Sequence, residues 1–323
     1  MRVIQTRDRF PLSSVKPLDG LLKYREHCLA ATRAALRGPT RLRERSLVSG
    51  TPLEVFGDVE GLRYGRCRQT GSLFLMELPD AATWTRLLAE VSRYRRSPEA
   101  FHLDLAQSRT DHVYAPRLEW MREALRLQAI RQPRMLEVMT PPSSFTTLLQ
   151  DSGLFSQVLT AEEMVVAHAT TAPVATELVQ AVVLPESLDR VDDPSALLRG
   201  VVSRLETGGL VFVTALVCSG FDMSVLGVKN LYLYPPDRTN CFSLTGLSSL
   251  LSQAGLTLVE VSTPGVLDVE IVRAHLAQNP SLPLSAFERQ LVEADEETQA
   301  AVQAFLQQWG LSSFTRIVAR KAS

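Results

Sequence analysis

Apolar positions are arranged differently in the two parts of the chain. As far as residue 132 they recur at helical spacing or in short broken runs, and beyond it short apolar strands alternate with amphipathic helices. Residues 21–36 have helical periodicity and several Arg and Lys, and Gly38-Pro39 stops them, so an exposed amphipathic helix is expected. Strand-like pieces cover 53–56, 62–66 and 72–76, and helices are expected over 81–95 and 117–130, with breaks at Pro98 and Pro116. Next, Met135, Leu136 and Val138 bracket Glu137 as in a buried parallel strand, and 143–153 reads as a helix ending on Gly153. Strands over 155–161, 181–184, 210–216, 256–261 and 314–320 follow. Helices are expected over 195–205, with Gly208-Gly209 as its cap, over 244–255, and as one long element over 285–309 after an insertion at 273–283. Alternation of this kind predicts an α/β chain with a doubly wound sheet.

Composition adds limits. A chain of 323 residues, 45% of them hydrophobic, can bury a large core in one large domain or two smaller ones. Its formal net charge of −1 gives no global field for nucleic acid or an anionic membrane, so neither is expected as a partner. The longest apolar run, residues 210–218, is about half of a bilayer span, and the N-terminus has no continuous apolar segment. A cytoplasmic protein is the expectation. Cys28, Cys67, Cys218 and Cys241 have no paired spacing and read as reduced thiols, and four of the five histidines (His102, His112, His168 and His275) read as structural or incidental, with no partner at metal-ligand spacing for His102 and His112. Residues 1–45 carry eleven Lys/Arg against four Asp/Glu, and 288–297 is acidic. Such runs are solvated faces or docking surfaces for a partner or an acidic ligand.

The stretch from Met135 to Gly153 resembles the cofactor motif of class I S-adenosylmethionine-dependent methyltransferases, an acidic strand residue followed by three alternate glycines. Glu137 falls on the acidic position, while Met139, Pro141 and Ser143 stand on the glycines. Glycine lets backbone approach a ligand and take φ > 0, and Pro141-Pro142 removes two amide donors, so the loop should bind the cofactor poorly. The remaining implied contacts are Thr140, Glu162 on the ribose hydroxyls (Glu163 as the lesser choice), and Pro185. Only 18 residues separate Glu162 from Ala181, too few for two crossovers and a strand, so one strand is expected to be shortened or lost.

The match extends to about residue 46. Ser46, Ser49, Cys67 and Thr70 fall on the four ligand positions of a two-knuckle zinc ribbon found before the catalytic domain in one bacterial branch, the sugar C-methyltransferases. Hydroxyls replace thiolates at three of them, so a metal-free ribbon with no zinc is expected. Arg109, Arg117 and Trp120 resemble the helical lead-in of the same enzymes. Asp189-Arg190 stands where they keep Glu-His before the retained Asp193-Pro194, and Arg238 replaces a second histidine. Arginine stays protonated and cannot act as a general base. Asp222, Arg238, Asn240, Thr263 and Asp268 fall on the substrate side. The resulting divisions are a basic helical segment (1–45), the ribbon-like α+β region (46–79), a helical lead-in (80–132) and a Rossmann-like, mostly parallel methyltransferase domain of seven strands or fewer (133–323).

The residues therefore imply a pseudo-methyltransferase that binds a small ligand or serves as partner to an active homologous subunit or to a second copy. The alternatives are an active enzyme with a divergent loop, acting on a small molecule such as a sugar nucleotide, and an unrelated α/β binding protein. Arg190 and Arg238 in the cleft would favour an anionic ligand.

Overall fold

The computed structural model describes residues 10–97, 100, 104–139, 144–168 and 178–322. Helix α1 (Leu18–Ala35) buries Leu21, Tyr24, Cys28, Leu29, Ala31 and Thr32, a stripe at three- and four-residue spacing. It is a covered element, not the exposed helix its charges suggest. Two of those charges are held within the chain, Arg25 and Arg33 bonding Glu60, and Arg41 beyond the helix reaches Asp192 at 2.6 Å. Strands β1 (Thr40–Leu42), β2 (Leu53–Val59), β3 (Leu62–Cys67), β4 (Leu73–Leu75) and β5 (Glu77–Pro79) come next. Helix α2 (Ala81–Arg95) spans the residues expected of it, because Asp80 caps it by accepting the amides of Ala82 and Thr83. Helix α3 (Ala106–Arg109) passes through a π-helical turn, Thr110–Tyr114, into α4 (Ala115–Leu127).

The main sheet begins with β6 (Arg134–Val138), α5 (Ser144–Asp151), β7 (Gln157–Ala161), α6 (Glu163–His168) and β8 (Val179–Pro185). Then come α7 (Ser187–Arg190), α8 (Pro194–Arg204), β9 (Leu205–Leu216), α9 (Phe221–Leu226), β10 (Asn240–Cys241) and α10 (Leu244–Gln253). The chain closes with β11 (Leu256–Ser262), α11 (Asp268–Gln278), α12 (Ala286–Glu293), α13 (Glu296–Gln308) and β12 (Phe314–Lys321). Six strands lie in the order β11-β12-β9-β8-β6-β7, the inner ones parallel and β12 antiparallel to both neighbours. This is a Rossmann-like, doubly wound sheet with a closing antiparallel hairpin. No seventh strand occurs among the described residues, and α6 and β8 are separated by too short a stretch for another strand and helix.

Period-two alternation sorts the strands between two layers. Met135, Ala181, Val183 and Phe212 pack under α4 and α5, while Leu136, Val138, Val182 and Leu184 face α6 and α8. Within the second layer α6 and α8 touch backbone to backbone: a Cβ on Gly200 would stand 2.1 Å from the Val166 carbonyl oxygen.

Three local expectations are corrected. Gly208-Gly209 does not cap the helix; β9 already starts at Leu205 and contains both glycines, Gly208 at φ +78°, where its register against β8 slips. The 285–309 helix divides at Ala294, whose extended backbone lets Asp295 cap α13. Much of the 273–283 insertion is the continuation of α11.

The ribbon-like sheet is not freestanding. β4 pairs with β10 from the C-terminal half, and one apolar core runs from α1, α2 and β2–β4 into the α6/α8 face of the main sheet. Among the described residues no helix is long and apolar enough to cross a membrane.

Candidate functional site

A cavity of about 390 Å³ lies at the C-terminal ends of the parallel strands, where doubly wound sheets place ligands. Met139 after β6, Glu186 after β8 and Leu216 at the end of β9 form its floor, and Asp222, Asp268 and Phe314 one wall. The roof comes from the N-terminal part: Lys16, Tyr24 of α1, Arg95 of α2 and the π-turn residues up to Tyr114. Among the described residues eight Lys/Arg and five Asp/Glu line it.

Two charge chains cross this space. Arg95 donates to Asp237 at 2.6 Å and to Tyr24, while Arg190 lies 3.8 Å from Asp237, 3.4 Å from Glu163 and donates to the Pro185 carbonyl. Asp237 stays ionised: burial acts to raise its pKa, but Arg95, Arg190 and Arg238 hold it below the usual carboxylate range. In the second chain Arg238 reaches Glu186 at 2.8 Å and Asp189 at 3.6 Å, with Arg117 3.6 Å from Glu186 on the other side. Glu186 adopts φ 61°, an uncommon left-handed conformation for a non-glycine residue, which costs roughly 1 kcal/mol or more. Against the burial that opposes its charge, Arg238 and Arg117 hold its carboxyl well below the ordinary range.

Asp189 differs. It is fully buried, accepts only the Leu216 amide at 3.3 Å, and leaves Oδ1 without a hydrogen-bond partner. Burial pushes its pKa up to about 8 despite Arg238. Neither it nor Arg190 is set to take a proton from a molecule in the cavity: the first is sealed off and the second stays a cation.

The other implied residues are distributed unevenly. Glu137 is buried and accepts from the Thr146 hydroxyl of α5 at 2.5 Å. Met139 lines the cavity, but its amide donates to the Ala161 carbonyl at 2.9 Å and so belongs to the sheet. Thr140, Pro141 and Ser143 lie outside the described residues, as does His102. Glu162 is exposed and does not line the cavity, whereas Glu163 does. Asp222 accepts from Asn230 at 3.0 Å and from the Ser313 hydroxyl, and burial with the neighbouring Asp268 carries its pKa to about 8. Asp268 is saturated by Ser312, the Ser313 amide and Gln303 at 2.6–2.8 Å. Asn240 tethers the Leu188 and Val191 carbonyls outside the cavity, and Thr263 is buried with its hydroxyl unpartnered. Arg109 and Arg117 both line the cavity, while Trp120 is buried beside it and donates to Glu260 at 2.8 Å.

Lys16 and Arg316 were not singled out by the sequence. Arg316 carried a signal, because a cation sits at an apolar-phase position between Phe314 and Val318 of a central strand. Lys16 carried none.

Around the ribbon positions the Cys67 sulfur lies within hydrogen-bond distance of the Ser49 hydroxyl at 3.2 Å and of the Thr51 hydroxyl at 3.9 Å, while Ser46 Oγ accepts the Val48 and Ser49 amides and Thr70 donates to Ser72. Burial acts to raise the thiol's pKa, but the neighbouring hydroxyls outweigh it and bring it down to about 6. Among the described residues no group of three or more His, Cys, Asp or Glu is arranged to hold a metal.

Among the described residues, those the resemblance implies for S-adenosylmethionine are engaged elsewhere or turned away: the Met139 amide bonds the Ala161 carbonyl, Glu163 is held by Arg190, and the exposed Glu162 lies outside the cavity.

Fold and site together define a Rossmann-like, doubly wound α/β protein with a charged cleft at the C-terminal ends of its parallel strands. No protein-family model matches the chain, and no curated protein sequence does. Among solved structures it is similar to a putative sarcosine dimethylglycine methyltransferase from Galdieria sulphuraria (13% identity, 63% of this chain and 84% of that one, TM-score 0.37). It is also similar to a possible histamine N-methyltransferase from Thermotoga maritima (16%, 74% and 99%, 0.42). A third is phosphoethanolamine N-methyltransferase 2 of Haemonchus contortus, solved with S-adenosyl-L-methionine (12%, 77% and 63%, 0.46). These geometric likenesses are weak; the fold assignment stands on the chain's own strand order and crossovers.

Proposed function

We propose that the chain is a methyltransferase-type binding protein that holds a small anionic molecule in the cavity and does not transfer methyl groups. The observation that carries this reading is Arg190, which spans from Glu163 to Asp237 and occupies with a permanent cation the position where the resemblance implies a general base. Such a chain acts as a ligand holder, or as the non-catalytic partner of a homologous active subunit. The test is calorimetric titration of the full chain with S-adenosylmethionine and S-adenosylhomocysteine. No heat is expected up to millimolar ligand; saturable micromolar binding sinks the proposal.

A second reading, an active methyltransferase with a divergent loop, is favoured by one feature. One cavity is lined both by Met139 and Pro185, where the resemblance implies cofactor contacts, and by Asp222 and Asp268, where it implies the substrate side. The same titration separates the two.

A further inference from the structure

The sequence points to Arg190 and Arg238 as the cations a ligand would meet, but both are already paired with carboxylates. A different set is left over. Arg109, Arg316 and Lys16 have no carboxylate within ion-pair distance among the described residues. Arg117 has only its 3.6 Å contact to Glu186, a carboxylate that Arg238 holds at 2.8 Å. Arg117 is 3% and Arg316 8% exposed, and the Nε of each has no hydrogen-bond acceptor. All four line the cavity.

Each of these cations rests on an aromatic face: Arg117 on Phe145 at 5.1 Å, Arg316 on Trp120 at 5.6 Å, Arg109 on Tyr114 at 5.6 Å and Lys16 on Tyr232 at 4.0 Å. For Arg117 and Arg316 such contacts hold the face of the guanidinium and leave in-plane N–H groups to donate, their Nε atoms being unpartnered, whereas Arg109 already donates to the Tyr114 hydroxyl at 3.4 Å and to the Val15 carbonyl at 3.3 Å. The π-helical turn serves this arrangement: its wider winding brings residues five apart into line, so Arg109 meets Tyr114 on one side. The four also repel one another. Arg316 is brought down to about 9 by burial and by Arg117, and Lys16 to about 8 by burial first, with Arg238 and Arg109 adding to it against the pull of Glu186. Unneutralised buried like charges oppose folding, and a core of the same volume built from apolar side chains would avoid that cost.

We propose that Arg109, Arg117, Arg316 and Lys16 form the receptor for the anionic part of the cavity's ligand, a phosphoryl group or a set of neighbouring carboxylates that bears two or more negative charges in total. The proposal rests on the binding reading above and names the recognised group. In-plane donors suit such oxygens, and the cavity's volume suits a ligand of metabolite size.

The test uses the full chain with pyrophosphate and citrate as probes at constant ionic strength, by thermal melting and calorimetric titration. One of the two is expected to bind saturably and raise the melting temperature, and which one does so assigns the group as phosphoryl or carboxylate. In Arg316→Gln affinity should fall at least tenfold, while the ligand-free variant melts no lower than wild type, because a like-charge contact has been relieved. An arginine serving only the fold would behave in the opposite way. Arg109→Gln, at a less buried position, should show the same loss of affinity and provides the reading if Arg316→Gln does not fold; Arg68→Gln, at an exposed surface site, should bind as wild type. Binding of neither anion, or wild-type affinity in both cavity variants, overturns the proposal. The outcome is separate from that of the S-adenosylmethionine titration, which tests cofactor binding and not the anion receptor.

Discussion

Replacing Asp189 by asparagine tests whether burial or Arg238 governs the innermost carboxyl of the site. Asp189→Asn is nearly isosteric with a protonated aspartate; its amide oxygen can keep the Leu216 N–H bond, and its nitrogen takes the place of an oxygen that already lacks a partner. The folded-state pKa is raised, from 3.8 to about 8. The native state therefore holds this proton more tightly than the unfolded chain. The contribution to stability is full below about pH 4 and is lost as pH rises toward 8. At ~1.4 kcal/mol per pH unit, the interval from pH 5 to 8 sets an upper bound of roughly 4 kcal/mol, and relaxation around the ionised group reduces the expected effect to about 2 kcal/mol. Urea unfolding of both proteins at pH 5 and pH 8.5 isolates the term, since every other titrating group, Asp222 included, is common to both. Asp189→Asn should gain about 2 kcal/mol relative to wild type between the two pH values. A difference that stays constant with pH would refute the reasoning. It would mean that the carboxylate is ionised throughout and paired with Arg238 across 3.6 Å.

The remaining predictions concern packing and the ribbon. Gly200→Ala sets a methyl 2.1 Å from the Val166 carbonyl, which cannot rotate away, so α6 must lift from α8. A loss of about 2–3 kcal/mol in urea unfolding is expected, and a loss below about 0.5 kcal/mol would mean that the two helices are not in backbone contact. Because the Ser46, Ser49 and Thr70 side chains surround Cys67, with Ser49 at 3.2 Å from its sulfur, the triple variant Ser46→Cys, Ser49→Cys and Thr70→Cys should assemble four thiolates and bind one metal ion tetrahedrally. Cobalt(II) absorption reads this directly, and a spectrum without tetrahedral bands rejects the convergence.

Much of the architecture was legible because its signals are local. The helical spacing over 81–95 defined α2, and the apolar strands from Met135 onward defined the sheet together with the missing strand before β8. Where local signals have two meanings the expectation failed. A glycine pair with φ > 0 serves a helix end and a strand irregularity equally well, so Gly208-Gly209 was read as a cap although it lies inside β9. Charge on α1 was read as exposure, yet Arg25 and Arg33 are drawn to Glu60 at the tip of the β2/β3 hairpin.

The candidate site was legible only in outline. Arg190, Arg238, Asp189 and Glu163 were visible as residues, and Arg109 and Arg117 stood out through the family resemblance. Which cation meets which carboxylate was not visible, because Arg190 meets Asp237 and Arg95 meets Asp237 across long stretches of chain, and a periodic pattern carries no information about such distances.

By itself, then, the amino-acid sequence determined the succession of strands and helices and the period-two sorting of the sheet's faces. Those properties depend on neighbours within a few residues. Only the tertiary structure decided that the N-terminal segment roofs the cleft, that Arg190 and Arg238 are neutralised, and that Arg117 and Arg316 remain as buried cations facing the cavity. The reason is physical: ionisation and availability are set by burial and by charges within a few ångströms, and those neighbours are assembled only when distant segments fold together.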